Sequence, residues 1–196
     1  MLGNLVASLR SELQWKLQGW VAEERTVRGF RIAVVNSRRD IAMVDVFARL
    51  DAALALIERY QPRVFRRLQH DFARIHVARY PCRAAYFPDS KSCLIELTFS
   101  VNPSFTPAQV ASSIVHEGMH ARIHTMGVVY VPERRPREER MCREAELAFG
   151  LAIPDGEAVV RRAIESLQLD DMDVAPEIDW AEAQRAVAEA DRQSPL

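Results

Sequence analysis

The run His116-Glu-Gly-Met-His120 restricts this chain more tightly than any other part of its sequence. Side chains four residues apart on an α-helix share a face, with Cβ atoms about 5–6 Å apart, so two imidazoles placed this way can reach one cation. The segment reads as helix on separate grounds. Thr106 is a good N-cap, Pro107 takes the first helical position and Gln109 completes a capping box, opening a helix that runs to about Gly127. The residues ahead of the motif, Val110 to Val115, are apolar or small, as suits a buried metal-bearing helix. Two neutral imidazoles favour Zn²⁺. Glu117 falls beside such an ion instead of on it, where it can serve as general base toward a water that the ion has acidified.

Two histidines leave zinc short of a protein ligand, and the helix expected from Pro136 to about Leu151, ended by Pro154, holds the candidates. In a simple antiparallel pairing of the two helices His120 faces the region of Arg143 and His116 that of Leu147. Glu146 then comes level with the histidine pair and Glu139 level with His124. Glu139 and Glu146 are seven apart and project the same way from their helix, with Cys142 between them. Glu146 is therefore expected as third metal ligand, with Glu139 as a partner for His124 or for a ligand histidine. The alternative makes Glu139 the ligand and Glu146 the orienting group. Cys142 ranks third, since a buried free thiol usually serves as a small apolar filler. His124 is expected at the rim of the site, near a helix C-terminus that favours it electrostatically. No role is assigned to His70 or His76.

The histidine motif followed by a glutamate-bearing helix resembles the gluzincin arrangement of zinc metallopeptidases. The stretch Arg143-Glu-Ala-Glu-Leu-Ala-Phe-Gly-Leu-Ala-Ile-Pro154 is similar to the glutamate, alanine, phenylalanine and closing proline pattern of ImmA/IrrE-type peptidases, and the chain length is similar to that of minimal bacterial gluzincin-like proteins. The likeness covers about residues 92 to 154. It implies peptide or amide hydrolysis of a peptide or protein substrate, with Zn²⁺ as cofactor and Glu117 as base. It also implies that the strand ahead of the motif helix, here Cys93 to Ser100, is the sheet edge that takes an extended substrate by strand addition. Thermolysin has an aspartate four residues beyond its ligand glutamate; here Arg143 follows Glu139 and Gly150 follows Glu146 at that distance.

The rest of the chain supplies a frame. Apolar residues from Leu2 to Trp20 recur at helical spacing, predicting an amphipathic helix within residues 1–30, with Trp15 off the stripe. A strand is expected at Arg31–Val35, and a helix from Ile41 to Tyr60 closed by Pro62. Further strands are expected at Phe72–Val77, Arg83–Phe87 and Cys93–Ser100, the last two joined by a Pro88-Asp89-Ser90 turn, together forming a small antiparallel sheet. Helices follow at Asp155–Leu169 and near Asp179–Arg192. The expected fold class is α+β, mainly helical, with residues 1–196 as one zincin-like domain.

Net charge narrows the partners. With 26 Lys+Arg against 27 Asp+Glu the whole-molecule field does not favour nucleic acid or an anionic membrane. Three widely spaced cysteines, no run of apolar residues long enough to cross a bilayer and no secretory signal point to a reduced, cytoplasmic protein. The arginines at 134, 135, 137, 140 and 143 are expected on a solvated face, with one of them able to grip a substrate carboxylate, and Tyr130 is a candidate for steadying an oxyanion. A second reading keeps the zinc but closes its shell, making the site structural or regulatory. A third drops the metal and leaves an interaction domain.

Overall fold

The computed structural model describes residues 22–129, 131–176 and 179–193. Its first elements are a hairpin, β1 (Glu23–Val27) and β2 (Phe30–Val34), paired antiparallel with Val27 opposite Phe30. Arg28 and Gly29 form the two-residue turn, both with positive φ (48° and 80°), the geometry that matches the twist of a hairpin. Strand, not helix, thus occupies 23–27 within the segment expected to be helical. Glu23 to Val27 pairs along its whole length with the apolar β2, and that pairing decides its conformation. The stripe from Leu2 to Trp20, with Trp15, lies outside the described residues.

Helix α1 (Met43–Tyr60) buries Val46, Phe47, Leu50, Ala53, Leu54 and Ile57, the stripe read from its spacing. Pro62 does more than end it. As the first residue of α2 (Pro62–Asp71) it begins a new helix, since a proline at that position lacks only an N–H that would go unpaired anyway. Then come β3 (Arg74–Ala78), β4 (Ala84–Phe87) and β5 (Ser92–Glu96).

The five strands form one sheet in the order β1-β2-β3-β5-β4. It is mixed, not antiparallel: β2 with β3 and β3 with β5 run parallel. The helical crossover through α1 and α2 brings the chain back in the same direction, which a hairpin cannot do. β5 is buried at every residue and paired on both sides, so it is an interior strand; the edge next to the motif helix is β4, which pairs antiparallel with β5 alone. The expected strand through Ser100 ends at Glu96, and Leu97–Val101 forms a short helix, α3. Glu96 causes the switch. Its carboxylate accepts from the Phe99 amide at 2.6 Å and from the Thr98 hydroxyl at 2.7 Å, capping the helix, and pairs with Arg79.

Helix α4 (Pro107–Thr125) carries the capping box read from the sequence: the Gln109 amide donates to Thr106 Oγ1 at 3.3 Å and the Thr106 amide to Gln109 Oε1 at 2.9 Å. It is buried almost continuously from Val110 to Gly118, against α1, α2, the sheet and α5 (Arg135–Ala152). A Cβ on Gly118 would meet Leu68 Cδ2 at 2.0 Å, so this position of the motif sets how closely α4 approaches α2. Helices α6 (Glu157–Leu167), α7 (Asp171–Val174) and α8 (Trp180–Gln193) complete the chain. Among the described residues no helix is long and apolar enough to cross a membrane.

Candidate metal centre

α4 and α5 pack against each other and bring the motif and the glutamates together. The rings of His116 and His120 stand 5.1 Å apart between centroids, one turn apart along the buried face of α4. Each of the two candidate glutamates reaches His116, but at different nitrogens. Glu146 Oε1 lies 2.6 Å from Nδ1, while Glu139 Oε2 lies 3.3 Å from Nε2; the other oxygen of Glu139 is 3.6 Å from Nε2 of His120. His116 thus sits level with Cys142, midway between the two carboxylates. The simple pairing expected from sequence is shifted along the helix, and Glu139, not Glu146, spans the histidine pair.

Glu146 is turned to other partners. Its Oε1 accepts from His116 and from Arg143 Nη1 at 2.6 Å, and its Oε2 accepts from the Ser112 hydroxyl at 3.4 Å. This buried carboxylate is held ionised: burial alone would raise its pKa, but His116 and Arg143 hold it below the ordinary carboxylate value. Glu139 is lowered too, against its own burial, chiefly by His116.

Burial works to discharge His116, yet Glu139 and Glu146 on its two nitrogens raise it to about 9. His120 goes the other way, to about 4, through burial and the neighbouring charge of His116. Glu117, buried beside both, is pushed up to about 7, mainly by desolvation. The two rings and three carboxylates therefore hold a proton where a cation would sit.

Imidazole and carboxylate donors of the kind gathered here are ones that zinc takes. Ligand atoms about 2.0–2.1 Å from a tetrahedral ion are roughly 3.3 Å from one another, the scale of the two Nε2-to-Glu139 separations of 3.3 and 3.6 Å. The Nδ1 contact of His116 to a carboxylate is the usual means of fixing the tautomer that presents Nε2 to a metal. Among the described residues, the group whose ligand atoms all lie within 4.8 Å of one another is His116, His120 and Cys142, whereas Glu139 meets each histidine through a different oxygen. Cys142 is completely buried, and burial followed by the charges of Glu139, Glu117 and Glu146 raises its thiol well above the ordinary value, which favours the protonated form.

A cleft of about 700 Å³ opens beside these groups, lined by α4 and α5, by the edge strand β4, by Arg162 of α6 and by Val174, Pro176 and Trp180. His124 is at this cleft, as expected for a rim residue, but it is exposed and its neighbour is Tyr86, whose hydroxyl is 3.3 Å from Nδ1. It does not meet Glu139, because the shift in pairing carries that glutamate up to the histidine pair. Arg140 is also not a free solvated charge: it donates to the carbonyls of Leu167 and Leu169 at 3.0 and 2.8 Å and pairs with Asp171, binding α5 to the turn after α6. Tyr130 lies outside the described residues. Tyr86 and Arg162 escape a reading of sequence because each comes from an element distant from the motif, with no local pattern around it.

No family model, curated protein or solved structure matches this chain.

Proposed function

We propose that this protein is a zinc-dependent peptide hydrolase of the gluzincin type that its motif helix and glutamate-bearing helix resemble. His116, His120 and Glu139 would hold the ion, reversing the ranking of the two glutamates that simple helix pairing favours. The observation that carries the reading is the division of labour between those glutamates: Glu139 faces Nε2 of both histidines, whereas Glu146 is tied to Nδ1 of His116.

When bound, zinc supplies a Lewis acid that makes water a nucleophile near neutral pH and polarises a carbonyl. The remaining work falls to the chain itself. Glu117, buried at the cleft with its carboxyl raised to about 7, is suited to accept a proton from the attacking water and return it to the leaving amine. Glu146, held by Arg143 and Ser112, keeps the His116 ring in one orientation. An extended substrate would add to the free side of β4, which lines the cleft, and not to the interior strand β5.

Glu117→Gln tests the base. It is expected to bind zinc as wild type does and to lose peptide cleavage by at least about a hundredfold, the lower end of a general-base contribution. Cleavage at the wild-type rate overturns the assignment.

The closed-site reading gains from Cys142, which lies close enough to both histidines to make a further ligand. In that case Cys142→Ser weakens zinc binding; in the hydrolase it leaves zinc affinity within about twofold, since a thiol outside the shell donates nothing to the ion.

A further inference from the structure

The cleft beside the histidine pair is lined by a guanidinium that no hydrogen bond or ion pair of the described residues engages. Arg162, in the middle of α6, is half-buried and lines the cavity. Among the described residues none accepts a hydrogen bond from its guanidinium or forms an ion pair with it. Burial lowers its pKa, the charge of Glu146 works against that, and Arg143 and Arg83 add to the lowering. Glu146 acts on it through its charge alone, its hydrogen bonds going to His116, Arg143 and Ser112.

The neighbouring arginines leave donors to spare. Arg143 spends Nη1 on Glu146, and its Nε is a buried donor with no acceptor among the described residues. Arg83, exposed at the start of β4, lies over the rings of Phe105 and Phe99 at 4.6 and 5.5 Å from their centroids, contacts that position a guanidinium without neutralising it. Four arginines and four glutamates line this cavity, yet among the described residues Arg83, Arg143 and Arg162 make between them one ion pair, that of Arg143 with Glu146. A half-buried guanidinium such as that of Arg162 is costly unless an anion joins it, and the planar fork of arginine matches a carboxylate.

We infer that this wall is a carboxylate subsite of the cleft, in which Arg162 grips a carboxylate of the bound peptide while Arg83 and Arg143 supply supporting charge. The carboxylate is either the free C-terminus of the peptide or an Asp or Glu side chain within it. The inference rests on the hydrolase reading for the peptide nature of the ligand and on the arginines alone for its charge.

Calorimetric binding to the metal-free full-length protein and to the zinc-loaded Glu117→Gln variant tests it. The probes are an N-acetylated alanine hexapeptide with a free C-terminus, its C-terminal amide, and the amide with a central glutamate. At least one carboxylate probe is expected to bind about tenfold more tightly than the neutral amide, in both protein forms. Preference for the free acid assigns the C-terminus; preference for the glutamate peptide assigns a side chain. Arg162→Gln removes the preference and leaves neutral-peptide binding within about twofold, and Arg162→Lys restores part of it.

Equal binding of acid and amide overturns the inference. So does a preference that survives Arg162→Gln, or no peptide binding at all. If Arg162→Gln fails to fold, Arg83→Gln at its exposed position carries the test, and a preference that it does not reduce is the contrary result. Intact charge preference without cleavage by the zinc-loaded wild type refutes the hydrolase reading and leaves the subsite standing; cleavage without charge preference does the reverse.

Discussion

Glu146 Oε1 lies 2.6 Å from Nδ1 of His116, and that contact leaves Nε2 as the nitrogen of this ring that is turned to Glu139 and His120. The pair fixes one residue of the motif helix from the neighbouring helix, and Arg143 and Ser112 fix the carboxylate in turn. The whole assembly is buried, so the orientation of the ring belongs to the fold and does not depend on a ligand.

Proton release should accompany zinc uptake. In the metal-free protein the carboxylates on its two nitrogens hold His116 protonated up to about pH 9, against the effect of burial. A metal requires the neutral ring, so zinc must displace that proton. Between pH 7 and 8, titrations in two buffers of different ionisation enthalpy are expected to report release of about one proton per zinc, with affinity rising as pH rises. Binding without proton release contradicts the charge assignment of the site.

Gly118→Ala should destabilise the protein even though alanine is the better helix former. The added Cβ meets Leu68 Cδ2 at 2.0 Å, where α4 crosses α2. Overpacking of this kind costs about 1–3 kcal/mol, which outweighs a helix-propensity gain of about 1 kcal/mol. Urea unfolding measures the balance. A variant as stable as wild type, or more so, shows that the two helices can part at no cost.

Acid should weaken the fold through His76, well away from the metal centre. Burial, then the charge of Arg74, lowers this histidine to about 4, with Glu24 acting in the opposite sense. The unfolded chain has a histidine near pH 6.5, roughly. Because the folded value is the lower one, folding favours the neutral ring. Its contribution to stability is whole above the unfolded value and is lost as pH falls from there toward 4. His76→Gln is expected to flatten the fall in thermal stability across that window relative to wild type. Identical pH profiles contradict the assignment.

Local signals were the most legible part of this chain. The capping box at Thr106, the stripe of α1 and the boundaries of α5 can be read from residues a few positions apart, because the forces behind them act over that range. Strand direction could not be read so. The parallel pairing of β2 with β3 depends on the helical crossover between them, and half of that crossover, α2, follows a proline that reads equally well as a stop. Glu96 illustrates the same limit: its role as a helix cap depends on where β5 ends, and Arg79 from another strand end supports it.

The membership of the cluster was legible; the placement of its two glutamates along the motif helix was not. His116, Glu117, His120, Glu139 and Glu146 are all brought to one place, as their spacing implies. Which carboxylate faces which nitrogen depends on the lengthwise offset between two helices, set by the loop and short 3₁₀ turn at Pro132–Arg134 and by packing against α6. An offset of about 1.4 turns, from Leu147 to Cys142 opposite His116, exchanges the positions of the two glutamates. Arg162 was illegible for a related reason, since nothing in α6 marks the position that lines a cleft formed by other elements.

Zinc content after gel filtration, in wild type and in the Glu139→Ala and Glu146→Gln variants, bears on the foundation of the whole account. One equivalent is expected on the wild-type chain. Glu139→Ala is expected to lose at least about a hundredfold in affinity as a missing ligand, and Glu146→Gln about 10–100-fold as a missing support for His116. A wild-type chain that takes up no zinc, or a Glu139→Ala variant that holds it as tightly as wild type, contradicts the account.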